Sequence, residues 1–381
     1  MKRIYKPILI LVLLAALLSM TMAVSAQNQG PTAGADGQVV SKSISQARQQ
    51  AALAFWTRER IAKAKPMAMP VDNGAAEVDL AALSEVSGPA GFAAPGLPAA
   101  DADQIARAAY PDDWATFDEN LGGFAMADEE ALAPEGTSQV YTSYIVNKWL
   151  PAQTVYPHKW VGRLSFSVPG GTSYCSGTAI SNNVMLTAAH CLYDSTNNVW
   201  YNNWVFTPAY RNGSAPYGTF PATVCWVMPA WINLAGGYAI NTWARHDVGV
   251  CTMGTNTAGQ TLNNAVGWMG RQWNYPYVRH FHDLGYPFRN YNDALITDAG
   301  KYLRTCAAES FQQTTETRGM GCNWSRGISG GPWMTAYAPN VVSGYADGVN
   351  SGFFIGTQNL YGARFNNNNI VPLCGPTGAN C

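Results

Sequence analysis

A histidine, a serine and an aspartate stand in settings that suit covalent catalysis. His190 lies in Leu186-Thr187-Ala188-Ala189-His190-Cys191, and Ser329 lies in Gly327-Ile328-Ser329-Gly330-Gly331-Pro332. Asp247 opens the apolar run Asp247-Val248-Gly249-Val250. A serine hydroxyl is a weak nucleophile at neutral pH. It must give its proton to a base whose pKa lies near the working pH, and an imidazole supplies one. The imidazole needs an anion on its other nitrogen, to hold its tautomer and stabilise the imidazolium. Asp247 suits that role, because a polar residue entering an apolar strand is partly buried and orienting. Asp194, Asp283 and Asp298 are rivals, but Asp247 alone combines a place between the motifs with entry into an apolar run. The gaps are 247 − 190 = 57 and 329 − 247 = 82 residues.

The elements that must position these residues read as strands. Short β-rich runs recur at Val161–Val168, Cys175–Ile180, Val184–Thr187, Phe220–Val227, Val248–Met253, Val341–Tyr345 and Leu360–Phe365. Loops rich in Asn, Gly and Pro separate them, as at Asn197–Asn203 and Asn366–Asn369. Strands at such spacing predict an all-β sandwich or barrels. No sustained helical periodicity and no internal repeat is evident in this part. Hydrophobic residues make up 47% and charged residues 12% of the 381-residue chain, which favours an extracellular strand-and-loop protein.

The His190 and Ser329 motifs, with Cys175-Ser176-Gly177-Thr178-Ala179-Ile180 ahead of the first, resemble the trypsin-like serine peptidases. The resemblance runs from about Thr154 to Phe365. Asp247-Val248-Gly249-Val250 and Leu284-Gly285-Tyr286-Pro287 bring it closest to the bacterial and fungal branch that includes the glutamyl endopeptidases. It implies two six-stranded antiparallel β-barrels of the chymotrypsin type with the active site between them. It also implies a Ser-His-Asp triad of His190, Asp247 and Ser329, hydrolysing peptide bonds through an acyl-enzyme without a cofactor or metal. The N–H groups of Gly327 and Ser329 would bind the developing oxyanion, and Gly330 and Gly331 would let substrate approach closely. The chain departs from the animal digestive enzymes at Ile328, where they carry the Asp that receives a new N-terminal ammonium. The pocket departs too. Asn323 stands where the trypsins have Asp, and Tyr345 is the best match to the histidine of the glutamate-specific relatives. Asp347, near Gly348, would instead attract a cationic side chain. A non-catalytic homologue serving as a secreted binding protein is the alternative, although such proteins usually lose a triad residue. The α/β-hydrolase esterases place the triad in the order Ser, Asp, His with βα alternation, and neither is present.

The first third of the chain differs in composition. Lys2, Arg3 and Lys6 precede an apolar run from Ile8 to about Leu18, and Val24-Ser25-Ala26 offers a cleavage site, so residues 1–26 read as an export signal. The run is short for a membrane span, and no cysteine follows it for lipid attachment. A secreted, monomeric product that leaves the membrane once the signal is removed is expected, with peptide or protein substrates and no nucleic-acid partner. Residues 27–136 carry 7 Lys/Arg and 16 Asp/Glu, hence 7 − 16 = −9, whereas residues 137–381 carry 13 and 8, hence 13 − 8 = +5. An acidic propeptide covering a basic enzyme is the expected arrangement, ahead of a disordered spacer or a small retained cell-envelope domain. One helix is expected over about Ser45 to Lys65, stopped by Pro66, with a linker over Met67 to Leu97.

All eight cysteines lie at or after Cys175. In an exported chain they argue for disulfides, with spacing favouring Cys175–Cys191 and Cys306–Cys322. Cys225, Cys251, Cys374 and Cys381 are left to pair among themselves. There is no CxxC pair, and the His280-Phe281-His282 pair lacks evident further ligands, so a metal is not expected. The aromatics Trp200, Tyr201 and Trp204 fit core and strand-edge packing better than a ligand face.

Overall fold

A computed structural model describes residues 32–33, 39–72, 88–118, 141–146, 155–234, 240, 244–338 and 341–379. The expected export signal lies outside them. The residues from Ala33 onward form one compact unit.

After a two-residue strand at Thr32–Ala33, eight short elements of the compact unit precede the catalytic part. They are β1 (Val40–Ser43), α1 (Gln46–Phe55), α2 (Arg58–Lys63), β2 (Lys65–Pro66), β3 (Val71–Asp72), β4 (Gly91–Ala93), α3 (Ala102–Ala109) and α4 (Pro111–Asp118). Then come β5 (Tyr141–Ile145) and the six strands of a first barrel. These are β6 (Val161–Val168), β7 (Gly171–Ile180), β8 (Val184–Thr187), β9 (Asn202–Pro208), β10 (Phe220–Val227) and β11 (Gly249–Met253). Their antiparallel pairing closes in the order β9-β6-β7-β8-β11-β10 and back to β9. After β12 (Gly270–Trp273) a second barrel is built from β13 (His280–Gly285), β14 (Arg304–Gln312), β15 (Thr317–Gly321), β16 (Pro332–Thr335), β17 (Tyr345–Phe354) and β18 (Asn359–Ala363). It closes as β13-β14-β15-β18-β17-β16 and back to β13. This is the expected chymotrypsin-like pair of six-stranded barrels.

Both barrels are filled by large side chains. Trp160, Leu164, Phe206 and Val250 are fully buried in the main cluster, and Phe281, Met320 and Trp333 lie in a second cluster. Disulfides join Cys175–Cys191, Cys225–Cys251 and Cys306–Cys322. Cys225 and Cys251 are directly opposed on β10 and β11, a pairing the spacing had left open.

The described buried apolar residues of the acidic segment, such as Trp56, Ile61, Met69 and Trp114, join the clusters of the barrels. The segment also lends strands to the barrels. β1 pairs antiparallel with β10, β2 runs parallel to β7, β3 runs parallel to β17, and β4 pairs antiparallel with β12. Pairing at Val71–Asp72 and Gly91–Ala93 replaces the expected linker at those positions; residues 73–87 lie outside the described set.

Two further expectations change. The single helix over Ser45 to Lys65 is two helices, α1 and α2. Trp56 turns inward, 4% exposed, and its Nε1 donates to the Asn203 carbonyl at 2.6 Å. Thr57 then caps α2 by accepting the Arg60 N–H, which a continuous helix would not allow. The strand expected over Val341–Tyr345 begins at Tyr345 and runs to Phe354. Gly344 stands at φ +126°, a left-handed conformation that breaks extension just before it.

Candidate active site

The histidine and aspartate meet because of strand register. β8 and β11 pair with Thr187 opposite Gly249 and Leu186 opposite Val250. His190 follows β8 in a short 3-10 turn, Ala189–Cys191, and Asp247 stands just ahead of β11. The Cys175–Cys191 bridge fastens the turn to β7. Asp247 is fully buried and grips His190 twice. Its Oδ1 accepts the His190 backbone N–H at 2.8 Å, and its Oδ2 lies 2.7 Å from Nδ1. The second contact puts the proton on Nδ1 when the imidazole is neutral, which leaves Nε2 with its lone pair free. Trp231 walls the far side, with ring centroids 6.5 Å apart.

Ser329 sits in a turn clamped to both barrels. Its carbonyl accepts the Ser176 N–H from β7 at 2.8 Å. Gly330 N–H donates to the Asn350 carbonyl at 2.9 Å, and Asn350 N–H donates to the Gly331 carbonyl at 3.0 Å. Ser176 is a hub that motif reading passed over. Its hydroxyl donates to the Gly327 carbonyl and accepts the Tyr286 N–H, each at 2.9 Å. Gly330 cannot be another residue: φ is +77°, and a Cβ there would stand 2.6 Å from the Ser176 carbonyl oxygen. Gly327, at φ +87°, has the same requirement against Tyr174 and the Tyr286 carbonyl. The N–H groups of Gly327 and Ser329 donate to no backbone carbonyl among the described residues.

Ser329 is fully buried and His190 is 5% exposed. Ser329 Oγ and His190 Nε2 are buried atoms without a hydrogen-bond partner among the described residues. They are the two atoms between which a proton would have to pass.

The pocket candidates are placed as follows. Asp347 is fully buried and ion-paired, 2.8 Å from Arg279 and 3.1 Å from Arg318. Burial raises its pKa, and the two guanidinium groups oppose the rise. Its charge is thus spent inside the barrel. Gly348 packs over Trp333. Tyr345 lies at the β12 end of β17, edge-on to Phe92 of β4 with centroids 6.2 Å apart. Asn323 is buried beside the Cys306–Cys322 bridge, its Oδ1 3.8 Å from Cys306 Sγ.

A buried trio stands nearer the nucleophile. Trp333 Nε1 donates to Asn350 Oδ1 at 2.7 Å, and Asn350 Nδ2 donates to Asp283 and, at 3.3 Å, to the Ile328 carbonyl. Burial pushes the Asp283 carboxyl well above its ordinary range, with the Asn350 bond opposing. No sequence signal marked Asn350, because an asparagine inside a strand has no motif. His280 and His282 are neighbours on β13, with ring centroids 5.3 Å apart. His282 stacks on Tyr337 at 4.0 Å, and burial, then His280, lowers its pKa to about 4.

Two closed barrels, a buried His–Asp pair on the first and a glycine-framed serine on the second define a class. The fold and the site are those of a trypsin-like, chymotrypsin-fold serine peptidase. Residues 151–222 match the trypsin family model. A Bacillus subtilis (strain 168) protein named extracellular metalloprotease is 24% identical over 216 residues, 55% of this chain. The chain spans 62% of the length of that relative. Among solved structures, the protease Anisep from Arthrobacter nicotinovorans is similar, at 28% identity and a TM-score of 0.49, over 57% of this chain and 95% of that one. The thermostable serine protease AL20 from an extremophilic microorganism shows 25% identity and a TM-score of 0.48, over 57% and 94%. A Glu endopeptidase shows 19% and 0.46, over 59% and 91%.

Proposed function

We propose that the chain is an exported serine endopeptidase, made as a zymogen, with His190, Asp247 and Ser329 as its triad. The observation that carries this reading is the double grip of Asp247 on His190, beside a serine held in a glycine turn that is anchored to the first barrel through Ser176. In the reaction, Ser329 Oγ passes its proton to His190 Nε2 and bonds to the substrate carbonyl carbon. The carbonyl electrons move to oxygen, which takes the N–H groups of Gly327 and Ser329. Those electrons return, the C–N bond breaks, and His190 gives its proton to the leaving amine. Water then repeats the sequence on the acyl-enzyme and frees Ser329. Asp247 keeps the imidazole oriented throughout.

The zymogen and export parts rest on other observations. The export signal of residues 1–26 and the disulfides suit an oxidising compartment. The described part of the acidic segment docks on the body, with Asp103 placed 3.5 Å from Lys159 and accepting the Tyr217 hydroxyl at 3.0 Å. The test is a fluorophosphonate probe on protein recovered from culture medium, with peptide mapping and a mixed-peptide digest. Probe on Ser329 and cleaved peptides are expected. Folded, processed protein that takes up no probe and cuts nothing would return the chain to the binding-protein alternative. Mass spectrometry of the same sample reads the N-terminus, and activity in a chain still beginning at Gln27 would remove the zymogen part.

A further inference from the structure

Residues 65–72 run from the first barrel to the second. At one end Met67 donates its N–H to the Tyr174 carbonyl at 2.8 Å. Tyr174 is two residues from Ser176, which holds the Ser329 carbonyl. At the other end Phe353 donates its N–H to the Pro70 carbonyl at 3.4 Å. Phe353 is three residues beyond Asn350, which is bonded to Gly330 and Gly331. Ala68 and Met69 alone lie between the two anchored residues, whose partners neighbour the residues that hold Ser329 and Gly330. Met69 is 2% exposed and belongs to the apolar cluster of the second barrel, with Phe281, Trp324, Ile328 and Phe353. Val71 packs on the same cluster.

We propose that residues 65–72 are an internal inhibitor lying in the peptide groove with reversed polarity. Met69 fills the hollow that otherwise receives the side chain on the acyl side of the scissile bond. The proposal rests on the endopeptidase reading above and adds to it the occupant of the groove and the side-chain class the enzyme selects.

Three observations support it. The first is the seal: Ser329 Oγ and His190 Nε2 are both cut off from water. The second is polarity. The segment starts on the first barrel and ends on the second, and β3 runs parallel to β17. Reversing a strand exchanges the places of its N–H and C=O groups along a groove, and one fixed set of Oγ and N–H donors meets the carbonyl of one polarity only. Accordingly, no carbonyl of the segment lies on the N–H of Gly327 or Ser329, and none bonds Ser329 Oγ. The segment occupies the groove without offering a bond to cut. The third is the hollow itself. Its cluster is apolar and aromatic, and Asp347, the acid expected to draw a cation, is clamped by Arg279 and Arg318. A long, flexible apolar side chain such as Met fits it.

The experiment measures the rate at which a fluorophosphonate labels Ser329 in the full-length chain. It compares wild type, Met69→Leu, Met69→Asp and a full-length variant with residues 65–72 replaced by Gly/Ser, each checked for fold by circular dichroism. Wild type and Met69→Leu should label slowly. Met69→Asp should label at least about tenfold faster, since each 1.4 kcal/mol of lost docking is a factor of ten. The Gly/Ser variant should label fastest and cut peptides after Met, Leu or Phe. Wild type labelling as fast as the Gly/Ser variant would overturn the inhibitor. A Gly/Ser variant that cuts only after acidic or basic residues would overturn the hollow. A folded Gly/Ser variant that never labels would overturn the endopeptidase reading instead.

Discussion

Asp247→Asn tests the logic of the site most sharply, because the backbone decides which way the new amide faces. Asp247 Oδ1 accepts the His190 backbone N–H at 2.8 Å, a donor that cannot move. In the Asn variant the amide oxygen must stay there, since an NH2 would put donor against donor. The NH2 therefore faces His190 Nδ1, where the wild-type oxygen lies at 2.7 Å. Nδ1 becomes the acceptor, the ring proton moves to Nε2, and Nε2 can no longer take the Ser329 proton. Size and hydrogen-bond count are kept, so the melting temperature should hold. The rate should not. The same swap in a Ser-His-Asp triad costs about 10⁴-fold in kcat, which at ~1.36 kcal/mol per tenfold is roughly 5.4 kcal/mol of barrier. The assay is kcat/KM on a peptide substrate with enzyme recovered from culture medium, beside a thermal melt. A folded Asp247→Asn enzyme within tenfold of wild type would refute the reasoning.

Other expectations follow from single contacts. Gly330→Ala should lower stability by about 3 kcal/mol or more, through a positive φ and a Cβ driven into Thr187 and Ser176; a melt within 1 °C of wild type would refute it. Replacing Cys225 and Cys251 by Ser opens a loop of sequence separation 26 and should cost about 3.5 kcal/mol in denaturant titrations. Asp283→Asn probes a carboxyl whose pKa burial raises in the fold. The wild-type carboxyl favours the fold fully below its unfolded value near 3.8, and that contribution is lost as pH rises through the folded value. The variant should therefore gain melting temperature over wild type at neutral and alkaline pH, with the gap closing toward pH 3.8; a gap that grows toward acid would refute it.

The pair of barrels was legible through the family resemblance carried by the His190 and Ser329 motifs, since the seven expected strand runs fall short of twelve strands. Five of the seven expected strand runs match observed strands to within two residues at both ends; β7 begins four residues ahead of the Cys175–Ile180 run, and the Val341–Tyr345 run meets β17 at Tyr345 alone. The docking of the acidic segment was not legible. β2, β3 and β4 are two or three residues long, too short for alternation to register, and they pair through backbone groups that every sequence offers. Asp347 misled for a related reason. Its partners Arg279 and Arg318 are 68 and 29 residues away in sequence, and only the closed barrel brings them onto it. The break at Trp56 was hidden by the good helix formers on either side, since its cause is a carbonyl on Asn203.

All three described disulfides lie at or beyond Cys175, and none reaches into the segment from residue 39 to residue 118. While the chain is whole, residues 65–72 act as a tethered ligand whose local concentration is on the order of millimolar whatever the bulk concentration. A cut on each side of them turns the same contacts into a bimolecular equilibrium. In a large extracellular volume dilution then carries the ligand away. The same groove can thus be firmly closed inside the cell and open outside it, with no change in any contact energy.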